Sequence, residues 1–223
     1  MRDIERFIAY LHAGPRDTAG VFNPWRDHDE RDRAPRRRMP AVRQENMAAY
    51  LEARAKTARV LLLGEAPSHR GCRFSGIAFC SETELLRKRD LVARRPLALT
   101  SAEADTKPQR ERSAHVIWDE LERAGAAHHV VLWNAFPWHP HGVEGVATNR
   151  KPRNREVEDG REALERLLAC FAYPLAIHAV GKVAETALAR WEGFACAGYM
   201  RHPAQGGEAK FREGFRTQVA ARL

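Results

Sequence analysis

The chain opens with apolar residues Ile4, Phe7, Ile8 and Leu11 at helical spacing, which predicts a helix over residues 2–12. Residues 14–40 then mix Gly, Pro and charges without a clear period. They are expected to form a long arm with little regular structure. Phe22 and Trp25 are expected to pin this arm to the body, because a wholly disordered segment rarely keeps such side chains. Residues 41–55 return to a helical pattern. From there short, continuous apolar runs alternate with amphipathic stretches. Strands are predicted at 59–64, 129–134, 175–181 and, briefly, 198–201. Helices are predicted at 110–124 (Val116, Ile117 and Leu121 on one face), 155–172 (Val157, Leu164, Leu167, Leu168) and 182–191, with a closing helix over 207–223.

Apolar strands separated by helices imply a parallel sheet covered on both faces. The predicted class is α/β: a three-layer α/β/α fold around a central, mostly parallel four-stranded sheet. One domain over 1–223 is expected, with N-terminal helices and a basic arm in 1–55 and the α/β core in 56–223. Ligands of such sheets bind beyond the carboxyl ends of the strands. Gly64, Asn134, Gly181 and His202 all fall there.

Composition narrows the partners. The 223 residues suit one sizeable core, and an apolar fraction of 44% is ordinary for a globular protein. No run of 18 apolar residues predicts a membrane span, and the first residues lack the layout of a signal peptide, so a cytoplasmic monomer is the expectation. Cys72, Cys80, Cys170 and Cys196 form no CxxC pair. They read as structural thiols, and no metal or organic cofactor is expected. The formal net charge is +8 and the pI about 9.7. Basic residues cluster at Arg36–Arg38, at Arg87, Lys88, Arg89, Arg94 and Arg95, and at Arg150, Lys151, Arg153 and Arg155. Solvated faces would explain these clusters, and so would a polyanion such as nucleic acid.

Two loops carry candidate chemistry. Gly64-Glu65-Ala66-Pro67-Ser68-His69 and His202-Pro203-Ala204-Gln205-Gly206-Gly207 each follow an apolar run and each hold a histidine and a proline. They could face each other across one cleft, with Asn134 at the end of a third run. Taken singly, each is an ordinary strand-end turn, Asn134 a cap and His202 a core or capping histidine. The segment from Gly71 to Phe79 places two Phe residues among Gly and Ser where the first loop must return to the body. An aromatic ring there could floor a flat pocket.

Together these residues resemble the uracil-DNA glycosylase superfamily. Gly64-Glu65-Ala66-Pro67 is similar to the turn of the family 4 enzymes, and Pro67-Ser68-His69 to the Pro-x-His of family 1. Gly76-Ile77-Ala78-Phe79 resembles a segment of family 1 and of the single-strand-selective enzymes. Trp133-Asn134-Ala135-Phe136-Pro137 matches the strand-end asparagine, Thr148-Asn149-Arg150-Lys151-Pro152 resembles a family 4 loop, and Arg201-His202-Pro203-Ala204 resembles the His-Pro-Ser motif with Ala for Ser. The resemblance runs from about Val60 to the C-terminus.

It implies a glycosylase that flips uracil out of single- or double-stranded DNA and hydrolyses its N-glycosidic bond. Catalytic roles would fall to His202, with Glu65 or His69 placing water. Asn134, Phe79, Gly64 and Ser68 would hold uracil. Arg150, Lys151, Gly206, Gly207 and Arg73 would contact DNA, and Arg36–Arg38 could add backbone contacts. The sequence also departs from the pattern. Ala66 stands where family 1 has an Asp, Ser68 where it has a Tyr, and the family 4 iron–sulfur cysteines are absent. No bulky apolar wedge follows His202. A DNA-binding domain that kept the fold and lost the reaction is therefore the competing expectation. A small-molecule α/β enzyme fits less well, because no nucleotide-binding Gly fingerprint is present.

Overall fold

The computed structural model describes residues 2–15 and 19–223, so residues 16–18 of the arm lie outside it. In chain order the elements are α1 (Arg2–Ala13), β1 (Val21–Phe22), α2 (Met39–Glu52) and β2 (Val60–Gly64). Three short helices follow: α3 (Cys72–Ser75), α4 (Glu82–Arg87) and α5 (Arg89–Val92). Then come α6 (Arg112–Arg123), β3 (Val130–Asn134), β4 (His139–Pro140), α7 (Asn154–Leu168), β5 (Ala176–Val180), α8 (Lys182–Arg190), β6 (Cys196–Met200) and α9 (Glu208–Gln218).

The main sheet has the order β3-β2-β5-β6 and is parallel throughout. The β2–β3 connection runs one way across the sheet; β3–β5 and β5–β6 run the other. Right-handed crossovers therefore put α6 on one face and α7 and α8 on the opposite face. The three-layer α/β/α expectation holds, with the sheet wholly rather than mostly parallel. Every residue of β2 and β3 is buried, as strands covered on both faces must be. Leu61, Leu62 and Leu63 are sealed from solvent, and each such burial is worth roughly 1.5–3 kcal/mol. One hydrophobic cluster runs from Ile4 through the strands to Val219.

Several boundaries differ from the sequence expectation for physical reasons. α2 begins at Met39, because Pro40 suits a first helical turn, where its missing N–H costs nothing. β6 begins at Cys196 through pairing with β5, although its early residues are exposed and show no apolar run. α9 ends at Gln218 and gives way to a 3₁₀ turn over Ala220–Arg222. The segment between Gly71 and Ala93 contains three short helices that apolar period did not reveal.

The arm has little regular structure yet is firmly fastened. β1 pairs with β4 as a small antiparallel ribbon, and Arg36–Arg38 form a 3₁₀ turn. Trp25 is sealed, stacks on Trp133 at 6.3 Å and donates its indole N–H to the Gly76 carbonyl at 3.2 Å. Phe22 is buried beside it in sequence. Arg43 reaches from α2 to Asp32 at 2.7 Å, with both side chains fully buried, and bonds the Pro24 and Asp27 carbonyls.

Candidate functional site

The order β3-β2-β5-β6 reverses direction between β2 and β5, and a cleft opens beyond the carboxyl ends of these strands, as the sheet topology requires. Its volume is about 640 Å³. The Glu65–Arg70 loop after β2, Gly181 after β5 and the His202 loop after β6 all line it. The ladder continues past the strand ends: Ala135 N–H donates to the Gly64 carbonyl at 2.9 Å and Phe136 N–H to Glu65 at 3.0 Å. Gly64 and Asn134 are direct register partners. A β-carbon on Gly64 would stand 2.1 Å from the Phe79 ring and 3.0 Å from Asn134 Oδ1. Only glycine permits this close approach of ring, amide and strand end.

Phe79 has a left-handed backbone with φ of 49°, costing about 1–2 kcal/mol for a residue with a side chain. Trp118 holds it there through an indole N–H to the Phe79 carbonyl at 2.9 Å. Its ring centroid lies 5.9 Å from that of His202, tilted by 36°. Asn134 is 3% exposed, and its amide makes no hydrogen bond to any described residue. Its oxygen and nitrogen are not among the sealed polar atoms, so solvent contact stands in for the missing protein partners. Phe79 and Asn134 lie against Gly64, deeper than the residues that line the open cleft.

Burial, helped by the neighbouring Arg201 cation, pushes the His202 imidazole down to about 4. The ring is therefore neutral at pH 7. Ala204 N–H donates to His202 Nδ1 at 3.2 Å, so the single ring proton sits on Nε2. That Nε2–H has no protein acceptor.

The opposing loop is arranged in the reverse sense. Asn149 Oδ1 accepts from the His69 backbone N–H at 2.9 Å and faces His69 Nδ1 at 3.1 Å. An amide oxygen only accepts, so Nδ1 carries the proton and Nε2 keeps a lone pair. Burial lowers the His69 pKa against the pull of Asn149, with Arg70, Arg31 and Arg73 adding to the lowering. Burial raises the Glu65 carboxyl, opposed by Lys151. Glu111 also lines the cleft and was not anticipated from sequence. Burial raises its carboxyl, while bonds from Ser113 (2.5 Å) and Ser68 oppose the shift and Glu84 adds to it. Ser68 also accepts from Gly71 N–H at 3.0 Å, which fixes the turn. Buried His139 braces the same loop, with Nδ1 2.9 Å from the Pro67 carbonyl.

A family model for the uracil DNA glycosylase superfamily matches residues 52–218. The chain belongs to this superfamily. Its members are DNA glycosylases and act on DNA. The crystal structure of wild-type SMUG2 from Pedobacter heparinus superposes with a TM-score of 0.67 at 15% identity, covering 96% of this chain and 97% of that one. This likeness extends the shared fold over the N-terminal arm. No curated protein matches the chain.

Within this glycosylase fold the structure unites most of the anticipated residues. Gly64, Phe79, Asn134 and His202 meet at one place, and Glu65, Ser68 and His69 line the adjoining cleft. Three anticipated DNA contacts are corrected. Arg73 is fully buried between the Phe22 and Phe74 rings and paired with Asp29, so no phosphate can reach it. Arg150 lines the cleft but spends its donors on Glu156 (2.6 and 2.7 Å) and on the His141 and Gly20 carbonyls. Gly207 N–H donates to the Ala204 carbonyl at 3.1 Å and is not free for phosphate. A β-carbon on Gly207 would stand 2.0 Å from the His202 carbonyl, so glycine is needed there to shape the loop. Gly206 and Lys151 remain exposed; Arg36–Arg38 are exposed but line no part of the cleft.

Lys182 also lines the cleft and lies outside the sequence motifs. Glu185 bonds it at 2.6 Å and raises its pKa, which keeps it a cation rather than an amine nucleophile. Among the described residues no group of three or more His, Cys, Asp or Glu side chains is arranged to hold a metal ion, and no helix is long and apolar enough to cross a membrane.

Proposed function

We propose that this glycosylase is a monofunctional uracil-DNA glycosylase that extrudes uracil from DNA and hydrolyses its N-glycosidic bond. One observation carries the reading: the amide of Asn134, almost buried and without a protein hydrogen bond, beside Gly64, Phe79 and His202. A base inside a duplex is out of reach, so the nucleotide must leave the stack at a cost of a few kcal/mol. The Phe79 ring offers the extruded base a stacking surface. Asn134 Oδ1 can accept from uracil N3–H while its NH₂ donates to O4. Cytosine presents the opposite pattern, and a bidentate mismatch of this kind costs roughly 1–3 kcal/mol.

As the C1′–N1 bond breaks, its electron pair moves onto the base and negative charge grows on uracil O2. The neutral His202 can donate its Nε2–H to that oxygen. A donor aimed at developing charge is typically worth about 10²–10³ in rate. Water then adds to the oxocarbenium-like sugar at C1′, and the proton it gives up ends on the departed uracil anion, leaving neutral uracil and a C1′ hydroxyl. The lone pair on His69 Nε2 and the Glu65 carboxylate are the groups that could orient this water from the facing loop. Ser68 is small, so the pocket would admit uracils with a small 5-substituent.

The test is release of free uracil, with an alkali-labile site left behind, from single- and double-stranded oligonucleotides containing uracil. Release above a no-enzyme control supports the reading. Ala66 and Ala204 motivate the second reading, a DNA-binding domain without the reaction. Salt-sensitive binding with no release at high enzyme would establish that one instead.

A further inference from the structure

The cleft does not end at the Ser68 loop. A second groove of about 540 Å³ adjoins it, and Arg70, Arg110 and Arg112 line both. Arg70 and Arg110 are exposed and have no hydrogen-bond or ion-pair partner. Arg112 is 82% exposed at its side chain and makes only a 3.4 Å contact with Glu208. The far wall behaves differently. Arg212 is held by Glu120 at 2.7 Å and Glu208 at 2.9 Å, which neutralises it. Glu208 is thereby satisfied and does not cancel the three arginines. The result is a run of guanidinium groups, two uncompensated and one loosely paired, that begins at the cleft and leads away from it along α6.

We propose that Arg70, Arg110 and Arg112 form a track for the phosphates of the DNA strand that carries the extruded nucleotide, on one side of that nucleotide. The proposal rests on the reading that the cleft receives a nucleotide of DNA. Two features select a nucleic-acid strand. The groove is continuous with the cleft, so a polymer held at the cleft must leave through a wall of it. Two unpaired guanidinium groups and a third held only loosely by Glu208 also complement a repeating anion, and arginine suits phosphate through its fork of donors. The second basic cluster of the sequence lies elsewhere. Arg54 ties the Leu91 and Val92 carbonyls of α5 to Val130, the first residue of β3. Arg87, Arg89 and Arg94 therefore sit at the amino end of the sheet, opposite the cleft.

The experiment compares the parent chain with the triple variant Arg70→Ala, Arg110→Ala, Arg112→Ala and the charge-matched triple Arg87→Ala, Arg89→Ala, Arg94→Ala. Binding of uracil-free single-stranded oligonucleotides is followed by fluorescence anisotropy across a salt series. Each phosphate contact on a single strand contributes about 0.7 to the slope of log affinity against log salt. The groove variant is expected to lose about 2 from this slope, and the charge-matched variant much less. Equal losses in both triples, or none in the groove triple, would overturn the track. Oligonucleotides extended on only the 5′ or only the 3′ side of uracil supply the polarity. The gain from one extension should vanish in the groove variant and the other persist; loss of both, or of neither, counts against the proposal.

Because the oligonucleotides of the binding arm lack uracil, its outcome is independent of base chemistry. A reduced slope without uracil release keeps the track and sinks the glycosylase reading; release with an unchanged slope does the reverse. Should the triple variant melt early, Arg70→Ala and Arg110→Ala carry the test singly, since neither side chain has a protein partner to lose.

Discussion

Asn46 and Asn134 are almost equally buried, at 2% and 3% exposure. Asn46, on α2 beneath the arm, is fully used. Its NH₂ donates to the Ser75 and Ala98 carbonyls at 3.0 and 2.9 Å, and its oxygen accepts from Ala98 N–H at 3.0 Å. Asn134, at the end of β3, bonds nothing. The same contrast separates the two regions around them. Under the arm, Glu82 caps the Thr100, Ser101 and Gln109 N–H groups, and at the amino end of the sheet Arg54 bonds four carbonyls. At the strand ends His202 and His69 line the cleft with ring nitrogens that have no protein partner, and the Asn134 amide behind them has none either. Buried polar groups that are satisfied hold a fold together. Arg73 Nε and Nη1 also lack partners under the arm, but no opening reaches them; the open groups of His202 and His69 border the cleft, where a ligand can meet them.

The contrast can be broken at several strengths. His202→Ala should have the largest effect, a fall of about 10²–10³ in single-turnover rate, with substrate affinity changed less. Near-parental turnover would remove His202 from the chemistry. Asn134→Ala should lower kcat/KM for uracil release roughly 10- to 10²-fold, in line with a bidentate base contact. Because that amide has no bond to lose, urea unfolding should place this variant within about 0.5 kcal/mol of the parent. Asn46→Ala should do the opposite. It strands three backbone groups and should cost at least about 1–3 kcal/mol of stability, with activity retained in the folded fraction. If both variants lost stability equally, the two asparagines would not differ in kind.

The smallest effect is on pH. His202 is held near 4 when folded, against a usual 6.5. The acid limb of kcat/KM due to His202 should therefore lie nearer 4 than 6.5. An acid limb centred near 6.5 that disappears in His202→Ala would contradict a neutral donor. Its linkage to folding has the matching sign. The unfolded chain takes up this proton first as pH falls, so stability present above about 6.5 declines between about 6.5 and 4.

The sheet was legible because β2, β3 and β5 are nearly continuous apolar runs that only a doubly covered strand requires. β6 was less so, since an edge strand with exposed Cys196 and Ala197 carries little pattern. The helices between 72 and 92 are too short for periodicity and depend on distant partners, Glu82 bonding residues 18 to 27 positions onward. The Ser81-x-x-Glu84 spacing did carry a capping-box signal for α4. At the site, Gly64, Phe79, Asn134 and His202 could be named from motif and strand-end position. Arg73 was misassigned because its partner Asp29 lies 44 residues upstream, where nothing local marks a buried pair. Glu111 stayed hidden at the start of the helix predicted over 110–124, outside every motif, and only the fold brings it to Ser68.

The central claim is that Asn134 is an unpaired reader of a uracil edge. The most direct measurement is the melting temperature of the parent chain and of Asn134→Ala, each with and without free uracil at millimolar concentration. Uracil should raise the parent's melting temperature and leave the variant's unchanged, and the two proteins should melt alike without ligand. An equal uracil shift in both proteins, no shift in the parent, or a variant that melts markedly lower without ligand would contradict the claim.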